Sequence, residues 1–387
     1  MRICCLVLWL LPTFLLAVPD SLVYRLKMVD HGLNLNFNGV NFSFVFKDDN
    51  TDLWIYQPGD NYKYALRNYN DQSWKNFSSD FDTDDAEGKF TGLGWFRLHF
   101  RAGKEFVGKP FMIRASHNGA SEIFLDGTLA QTFGHVAADP LEEIAEQPGD
   151  VFFPITVNDT LEYVIAVRYS NASFKTYEKK FYVERVGFSL RFYQFEDMLT
   201  MQLMTRFQHY FFIGISTFLF ALALVHLMIF LFERSRRFNL YHSFFVISLS
   251  LLFLLPVITT LLDRPMAIFR LQYYSDALIP TFFISALTLL YNLFQKKLNK
   301  FYYICLGVYL LTLIMKYVFN TGAGFFYISL FFMMYIGSTI ISIKAIRRNF
   351  RGAKIVGVGV LGVTIFTILA LLAVIILQDK GLILSIV

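Results

Sequence analysis

The chain has 387 residues, 55% of them hydrophobic, and a formal net charge of +5 at pH 7. So large an apolar share excludes a single water-soluble domain of this length. Basic residues gather in the apolar C-terminal half and acidic residues in the N-terminal half, so the net charge does not indicate nucleic-acid binding.

The first residues have the form of a secretory signal. Arg2 precedes an apolar run over 3–17 that ends in small residues, which predicts a signal peptide over 1–18. An uncleaved membrane anchor is the alternative, and either segment would export the domain that follows. That domain has no cysteine, which is typical of a bacterial periplasm rather than of a eukaryotic cell surface. The three cysteines of the chain are Cys4, Cys5 and Cys305.

Short runs of alternating apolar residues fill the segment 19–190, with turn residues between them. Runs rich in β-branched and aromatic residues are typical of strands, and Asp126-Gly127 is a tight-turn signal. The pattern predicts an all-β sandwich of jelly-roll or similar topology. The strand-like runs are 43–46, 95–100, 111–114, 122–125, 163–169 and 181–186.

Trp95, Arg97 and Tyr169 are candidates for a sugar-binding face. Aromatic rings pack on the apolar faces of sugars, and arginine donates hydrogen bonds to hydroxyl groups. The alternative is that Trp95 belongs to the core and that Arg97 is paired inside the domain.

A second candidate is a ligand-facing cluster at a strand end and in the loop after it, where binding residues collect. A solvated loop with a surface ion pair is the alternative. The candidate residues are Arg114, His117, Asn118 and Glu122, and His135 could join them.

The run that contains Asp80, Asp82 and Asp84 places carboxylates at every second residue, as a calcium loop does. It lacks the glycine and the final glutamate of an EF-hand, so a solvated acidic loop is the alternative. No other cofactor is expected. The sequence has no nucleophile motif, phosphate-binding loop or zinc-ligand spacing, so the chain as given is not predicted to be an enzyme.

The segment 191–207 is predicted to be a juxtamembrane neck that, if helical from about Glu196, is partly amphipathic. The segment 208–387 is predicted to be an all-α membrane bundle of seven helices. Basic loops after the first, third and fifth helices place those ends in the cytoplasm and the N-terminal domain outside. The seventh helix, 382–387, is cut by the end of the chain. The six full stretches, each with the ~20 apolar residues that cross a hydrocarbon core, are 209–232, 241–262, 276–294, 301–319, 324–343 and 355–377.

His226 lies deep in the first membrane stretch. Ionisable residues are costly in a bilayer and therefore suggest function. His226 is either a hydrogen-bond partner in helix packing or a protonation switch.

Several motifs of the exported domain resemble the galactose-binding-like jelly roll of β-galactosidase-type hydrolases. They are Tyr69-Asn-Asp-Gln-Ser-Trp74, Gly94-Trp-Phe-Arg-Leu-His-Phe100, Val107-Gly-Lys-Pro-Phe111, Ser121-Glu-Ile-Phe-Leu-Asp-Gly127 and the run 163–169. Joined to membrane helices through the loop Phe230-Leu-Phe-Glu-Arg-Ser-Arg-Arg-Phe-Asn-Leu-Tyr241, the chain resembles the bacterial 7TM receptors with diverse intracellular signalling modules (7TMR-DISM). In the hydrolases the catalytic acids sit in a barrel that this chain lacks.

The resemblance implies a multi-pass receptor of the bacterial inner membrane with a periplasmic sensor domain. It implies a periplasmic ligand, for which carbohydrate is a candidate class, and a homodimer in the lipid bilayer. It also implies a cytoplasmic output module, a histidine kinase or a serine/threonine phosphatase, beyond this chain. The alternatives are a membrane binding or regulatory subunit without output, and a membrane enzyme or transporter.

Overall fold

The computed structural model describes residues 27–29, 32–35, 54–102, 104, 107–294, 298–319, 324–350, 352–360 and 362. The predicted signal peptide, the strand-like run 43–46 and the predicted seventh helix lie outside these residues. The chain divides into two compact units. Among the described residues, the sandwich unit comprises those within 27–208 and 258–273, and the helical unit comprises those within 209–257 and 274–362.

The sandwich unit contains two sheets. The large sheet has the order β1-β2-β5-β10-β7-β8, with β3 pairing both β4 and β5, and the small sheet has the order β11-β6-β9. Neighbouring strands are antiparallel except β2 and β5, which are parallel. The strands are β1 (Lys27–Val29), β2 (Gly32–Leu35), β3 (Ile55–Pro58), β4 (Lys75–Asn76), β5 (Leu93–Ala102), β6 (Pro110–Ser116), β7 (Ala120–Leu125), β8 (Thr128–Phe133), β9 (Phe152–Thr156), β10 (Glu162–Ser170) and β11 (Ser189–Tyr193).

The core lies between the two sheets because side chains alternate along each strand. In β5, Phe96 and Phe100 point inward and pack in one cluster with Ile113 of the small sheet. The hairpin between β7 and β8 turns at Asp126 and Gly127, both with positive φ, as the sequence signal predicts. The expectation of a sheet-rich N-terminal region is confirmed, whereas its jelly-roll topology and its export stay predictions.

One predicted strand is wrong. The run 181–186 begins at the end of a helix, α2 (Phe174–Phe181), which a left-handed Tyr182 terminates. The helix forms because Phe174 and Tyr177, three residues apart, bury one face, and basic residues in its last turn suit the helix C-terminus. A shorter helix, α1 (Thr83–Ala86), precedes β5.

The C-terminal part is helical. The first residues of the predicted neck, 191–193, belong to β11, and α3 begins at Phe195 and continues without a break into the first membrane stretch. The helices are α3 (Phe195–Phe232), α4 (Arg237–Thr260), α5 (Pro265–Ser275), α6 (Leu278–Phe294), α7 (Lys300–Tyr317) and α8 (Gly324–Arg347).

The prediction of seven membrane helices is not met within the described residues, where four helices are long and apolar enough to cross a membrane. They are Phe195–Phe232, Arg237–Thr260, Pro265–Phe294 and Ser329–Arg347. The predicted stretch 301–319 forms α7, but Lys300, Lys316 and several tyrosines lower its apolar character. Of the predicted sixth helix, residues 355–360 and 362 are described, and all of them are helical.

Candidate functional site

The outer face of the large sheet, opposite the core, is covered by the segment 59–74. Trp95 and Arg97 lie on this face, two residues apart on β5, and each side chain is 0% exposed. Trp74 joins Trp95 in one cluster, and the Tyr64 ring meets the Trp95 ring edge-on at 6.1 Å. The indole of Trp95 is therefore covered by the chain itself and has no open face for a sugar.

Arg97 is held by the covering segment. Its Nε donates to Asp71 Oδ2 at 2.6 Å, and its Nη1 donates to the carbonyl oxygens of Tyr64 and Leu66 at 2.5 and 2.9 Å. The third residue of the expected sugar face, Tyr169, lies on the other side of the sheet. Its buried hydroxyl donates to the carbonyl oxygen of Val186 at 2.6 Å. The structure thus separates Tyr169 from Trp95 and Arg97.

His99 extends this polar network between two carboxylates. Its Nε2 lies 2.8 Å from Asp71 Oδ2, and its Nδ1 lies 2.9 Å from Glu162 Oε1. Burial alone would raise the pKa of Asp71, but the hydrogen bonds from His99 and Arg97 hold that pKa below its ordinary value. The network fastens segment 59–74 to β5 and β10.

A second network on the same face is centred on Arg168. Its Nε and Nη2 each donate to one carboxylate oxygen of Asp60 at 2.6 Å. Its Nη1 donates to the Tyr62 hydroxyl at 3.1 Å and to Glu122 Oε1 at 3.3 Å. The hydrogen bonds and charge of Arg168 lower the pKa of Asp60, although burial opposes them. Bidentate pairs of this kind fix geometry, so Glu122 is engaged in holding the covering segment.

The expected ligand-facing cluster is dispersed over three surfaces. Arg114 lies on the small sheet, where it donates to Gly149 O at 3.0 Å and to Asp150 Oδ1 at 2.8 Å. Glu122 lies on the outer face of the large sheet, and His117 is buried between the sheets. Asn118 is 8% exposed, and His135 is exposed, with its backbone bridging Ile144.

His117 is a buried, neutral histidine. Its Nε2 lies 2.9 Å from Ser121 Oγ, and its ring meets the rings of Phe133 and Tyr169 at 5.8 and 5.6 Å. Removal from water disfavours the imidazolium ion and lowers the pKa of His117 to about 3. The side chain is therefore part of the packed core.

Two carboxylates of the acidic run are paired with other groups of the protein. Asp80 pairs with Arg185 at 3.0 Å, and Asp82 caps α1 by accepting from the backbone N–H of Asp85 at 3.0 Å. Within the described part of the chain, no group of three or more His, Cys, Asp or Glu side chains is close enough to hold a metal ion. Asp80, Asp82 and Asp84 therefore do not form such a group, and the calcium candidate stays a prediction.

One end of the sandwich unit contacts the segment that connects α4 to α6. The β6–β7 turn accepts a bond from the loop after β8, with Glu146 N 2.8 Å from Gly119 O. The next residue, Gln147, donates its N–H to Asp263 O at 2.6 Å. This is the end of the sandwich at which the sequence predicted a ligand-facing loop.

Apolar side chains extend this contact into the cluster that we call the α2–α5 cluster. Phe269 lies at its centre, with its ring 5.1 Å from the Tyr177 ring and 6.0 Å from the Phe181 ring. Phe269 is 7% exposed and Tyr177 is 4% exposed. The sequence signal was an apolar pair, Ile268-Phe269, between two charged residues in a loop between membrane stretches. The members are Tyr177, Phe181, Val183, Leu262, Met266, Ile268 and Phe269.

In the helical unit, His226 of α3 meets α4. Its Nδ1 lies 2.8 Å from Asn239 Oδ1, and its ring centre lies 3.9 Å from that of His242. The sequence did not predict either of these α4 partners, because polar residues near the start of a helix are also typical of the loop before it. The contact fits the helix-packing alternative for His226 and leaves the protonation switch open.

Two further polar contacts join helices of this unit. Ser216 and Ser250 each donate to the other's backbone carbonyl oxygen, at 3.0 and 2.8 Å, and so link α3 to α4. Asp276 and Lys316 form an ion pair, and Lys316 is 5% exposed. Such contacts are typical of packed membrane helices.

Comparison with known proteins gives only weak likenesses. No protein-family model matches the chain, and no curated protein matches it. A glycosyl hydrolase family 2 member from Bacteroides cellulosilyticus DSM 14838 is 20% identical, with a TM-score of 0.27 over 36% of this chain and 19% of that chain. A beta-glucuronidase from glycoside hydrolase family 2 is 19% identical, with a TM-score of 0.23 over 30% of this chain and 13% of that chain.

The beta-glucuronidase of Bacteroides uniformis is 15% identical, with a TM-score of 0.26 over 36% of this chain and 17% of that chain. This chain therefore spans less than a fifth of the length of these solved structures. At such TM-scores the likeness carries no argument about activity.

Proposed function

We propose that the chain is a transmembrane receptor of the bacterial inner membrane. Its sandwich unit lies in the periplasm, where it binds a ligand, and its helices pass the change in ligand occupancy to a cytoplasmic output. A histidine kinase or a serine/threonine phosphatase is the output class that the sequence resemblance favours, supplied by a further module or a partner chain. The chain as given is not proposed to catalyse a reaction.

The observation that carries the proposal is the place of the segment Ile258–Tyr273. In sequence it overlaps the adjoining ends of two candidate membrane spans, Arg237–Thr260 and Pro265–Phe294, but it packs as part of the sandwich unit. Phe269 and Ile268 are buried on α2, and Asp263 O accepts the N–H of Gln147. A movement of α2 would therefore displace this segment, and the two ends of the segment continue into α4 and α6.

A second connection supports the same function. The helix α3 is 38 residues long, which corresponds to roughly 57 Å at helical rise and exceeds a hydrocarbon core of about 30 Å. Its first turns belong to the sandwich unit, where Met198 packs with Met112 and Tyr193. The sandwich unit is thus joined to membrane-length helices at two separate places, as a receptor with two preferred arrangements needs.

The test uses the full chain in lipid nanodiscs and needs no known ligand. A fluorophore on Ser235→Cys, in the short connection between α3 and α4, reports on the side of the membrane that is predicted to be cytoplasmic. Phe269→Ala loosens the α2–α5 cluster. Phe124→Ala is the matched control, because Phe124 is also 7% exposed but lies in the cluster on the outer face of the large sheet.

A receptor predicts that Phe269→Ala shifts the emission of the Ser235 label and that Phe124→Ala does not. Unchanged emission in both variants would favour a binding subunit without transmission. Alkaline phosphatase fused after Phe207 and after Arg236 tests the orientation. We expect activity only for the first fusion, since the enzyme works only outside the cytoplasm.

A further inference from the structure

The position of α5 in the chain limits where the neighbouring end of the sandwich unit can be. The helix α4 ends at Thr260 and α5 begins at Pro265, so four residues separate a membrane-length helix from α5. At the other end, two residues separate the end of α5 at Ser275 from the start of α6 at Leu278. Although α5 belongs to the candidate span Pro265–Phe294, its Ile268 and Phe269 pack in the sandwich unit, so only α6 is left to cross the membrane. A helix joined so closely to apolar helices on both sides is expected near the lipid headgroups.

The faces of α5 and of its approach fit that location. Ile268 and Phe269 are buried in the α2–α5 cluster, whereas Arg264 and Arg270 are exposed. Leu261, just before α5, is 74% exposed. Basic side chains bind lipid phosphates, and an exposed leucine beside them can enter the boundary between headgroups and acyl chains.

The sandwich unit presents a second exposed leucine next to this segment. Leu141 is 93% exposed and lies at the tip of a turn in the loop after β8. The turn is ordered: Asp139 Oδ1 accepts from the N–H of Leu141 at 2.8 Å, and Asp139 O accepts from Glu143 N at 2.9 Å. Glu143 fixes the turn to the sheet by accepting from Ser170 Oγ at 2.6 Å. The leucine is therefore held outward by a built turn.

The same loop contacts the α4–α5 connection. Ile144, three residues after Leu141, is 44% exposed, and Gln147 donates to Asp263 O at 2.6 Å. Leu141 and Leu261 thus belong to two chain segments that are hydrogen-bonded to each other. On the sandwich side of the α2–α5 cluster, Lys180 of α2 adds an exposed basic side chain.

We propose that this end of the sandwich unit is a lipid-contacting surface, and the proposal rests on the receptor orientation given above. Leu141 and Leu261 enter the boundary between headgroups and acyl chains of the outer leaflet, and Arg264, Arg270 and Lys180 bind lipid phosphates. Asp139 and Glu142 flank Leu141, so the contact is shallow and limited to the tip of the turn. The end that contacts lipid is then not the end that is open to a periplasmic ligand.

The experiment measures the depth of single labels in nanodiscs of phosphatidylethanolamine and phosphatidylglycerol. A fluorophore is placed on Leu141→Cys, and quenching is measured with lipids that carry a nitroxide near the ester end of the acyl chain. Leu129→Cys is the matched control, because Leu129 is 52% exposed and lies near the start of β8, at the other end of the strand from the loop that holds Leu141. Phe218→Cys, in the membrane stretch of α3 and 68% exposed, is the positive control.

We expect strong quenching at Phe218→Cys and several-fold more quenching at Leu141→Cys than at Leu129→Cys. Replacing phosphatidylglycerol by phosphatidylcholine should reduce quenching at Leu141→Cys, because the basic side chains lose their anionic partners. Equal quenching at positions 141 and 129, with position 218 quenched, overturns the lipid contact and leaves the receptor proposal standing. A shielded label at 141 that the lipid nitroxide does not quench indicates a protein partner and also overturns it. Absence of quenching at 218 removes the membrane location itself.

Discussion

Arg97 Nε lies 2.6 Å from Asp71 Oδ2, and the arginine side chain is 0% exposed while the carboxylate is 14% exposed. The two residues belong to different layers, because Arg97 is on β5 and Asp71 is in the segment that covers the sheet. A buried charge whose partner is removed is strongly destabilising. The covering segment is therefore attached to the sheet by electrostatic as well as by aromatic contacts.

Asp71→Ala should lower the unfolding free energy of the sandwich unit by about 3 kcal/mol, because it leaves Arg97 buried without a counter-ion. Tryptophan emission measures this in the full chain, since three of its four tryptophans, Trp54, Trp74 and Trp95, lie in the sandwich unit and the fourth is in the predicted signal peptide.

Asp80→Ala is the control for Asp71→Ala, because the Asp80 carboxylate is 55% exposed in its pair with Arg185. It should cost less than about 1 kcal/mol, as exposed ion pairs do. Equal losses in the two variants would contradict a buried charge at Arg97.

His117 predicts an acid-sensitive sandwich. Burial lowers the pKa of His117 to about 3 in the folded chain, against about 6.5 for an exposed histidine. The unfolded chain then binds the proton first, so this contribution to stability is complete above about pH 6.5 and is lost as the pH falls toward 3.

Between pH 7 and 5.5, His117 should therefore account for a loss of about 1 kcal/mol in the unfolding free energy. His117→Gln keeps a polar partner for Ser121 but does not titrate, so its stability should fall less over the same range. Urea unfolding followed by tryptophan emission at the two pH values compares the variants. Parallel losses would mean that His117 is not buried in its neutral form.

The alternation of side chains was readable from the sequence, and it predicted β5, β6, β7 and β10 and the shared face of Trp95 and Arg97. What covers that face was not readable, because Asp71 lies 26 residues before Arg97 in the chain and no local pattern joins the two. The helix at Phe174–Phe181 was missed for a related reason. The strand predicted over 181–186 begins at its last residue, and the packing of Phe181 on α5 is a tertiary contact that the local pattern does not show.

The candidate site was harder to predict than the fold. His117 and Glu122 lie close in sequence, but the turn at Gly119 sends one inward and the other to the outer face. The spacing of two residues in the sequence does not show that a turn between them sends their side chains to opposite sides of the sheet. The rings of Phe269 and Tyr177 are in contact although the two residues are 92 positions apart in the chain. It depends on tertiary structure alone.

The loop after β8 should depend on the absence of a side chain at Gly134. This glycine has φ +70°, and a Cβ there would lie 2.0 Å from the carbonyl oxygen of Ile144. Gly134→Ala must displace backbone, so we expect a loss of about 2–4 kcal/mol in the unfolding free energy.

Gly149→Ala is the matched control, because Gly149 also has positive φ but its Cβ would meet only Gln147 O, at 4.0 Å. It should cost about 1 kcal/mol from backbone conformation alone. Hydrogen exchange should also rise in residues 139–147 of Gly134→Ala, where the displaced bridge between His135 and Ile144 lies. Similar effects in both variants would contradict the close backbone approach.

The side chains of Asp276 and Lys316 should stabilise the helical unit as a coupled pair. Lys316 is 5% exposed, so Asp276→Asn removes the carboxylate that pairs with a buried charge and should cost about 2–4 kcal/mol. Lys316→Met should cost a similar amount for the opposite reason. The double variant removes both charges and should be more stable than the sum of the single losses predicts.

A dye that reacts with thiols measures unfolding of this unit in nanodiscs, because Cys305 is 0% exposed and is the one cysteine of the sequence outside the predicted signal peptide. Additive losses would show that the two side chains act independently, and a loss confined to one single variant would assign the stabilising role to that residue alone.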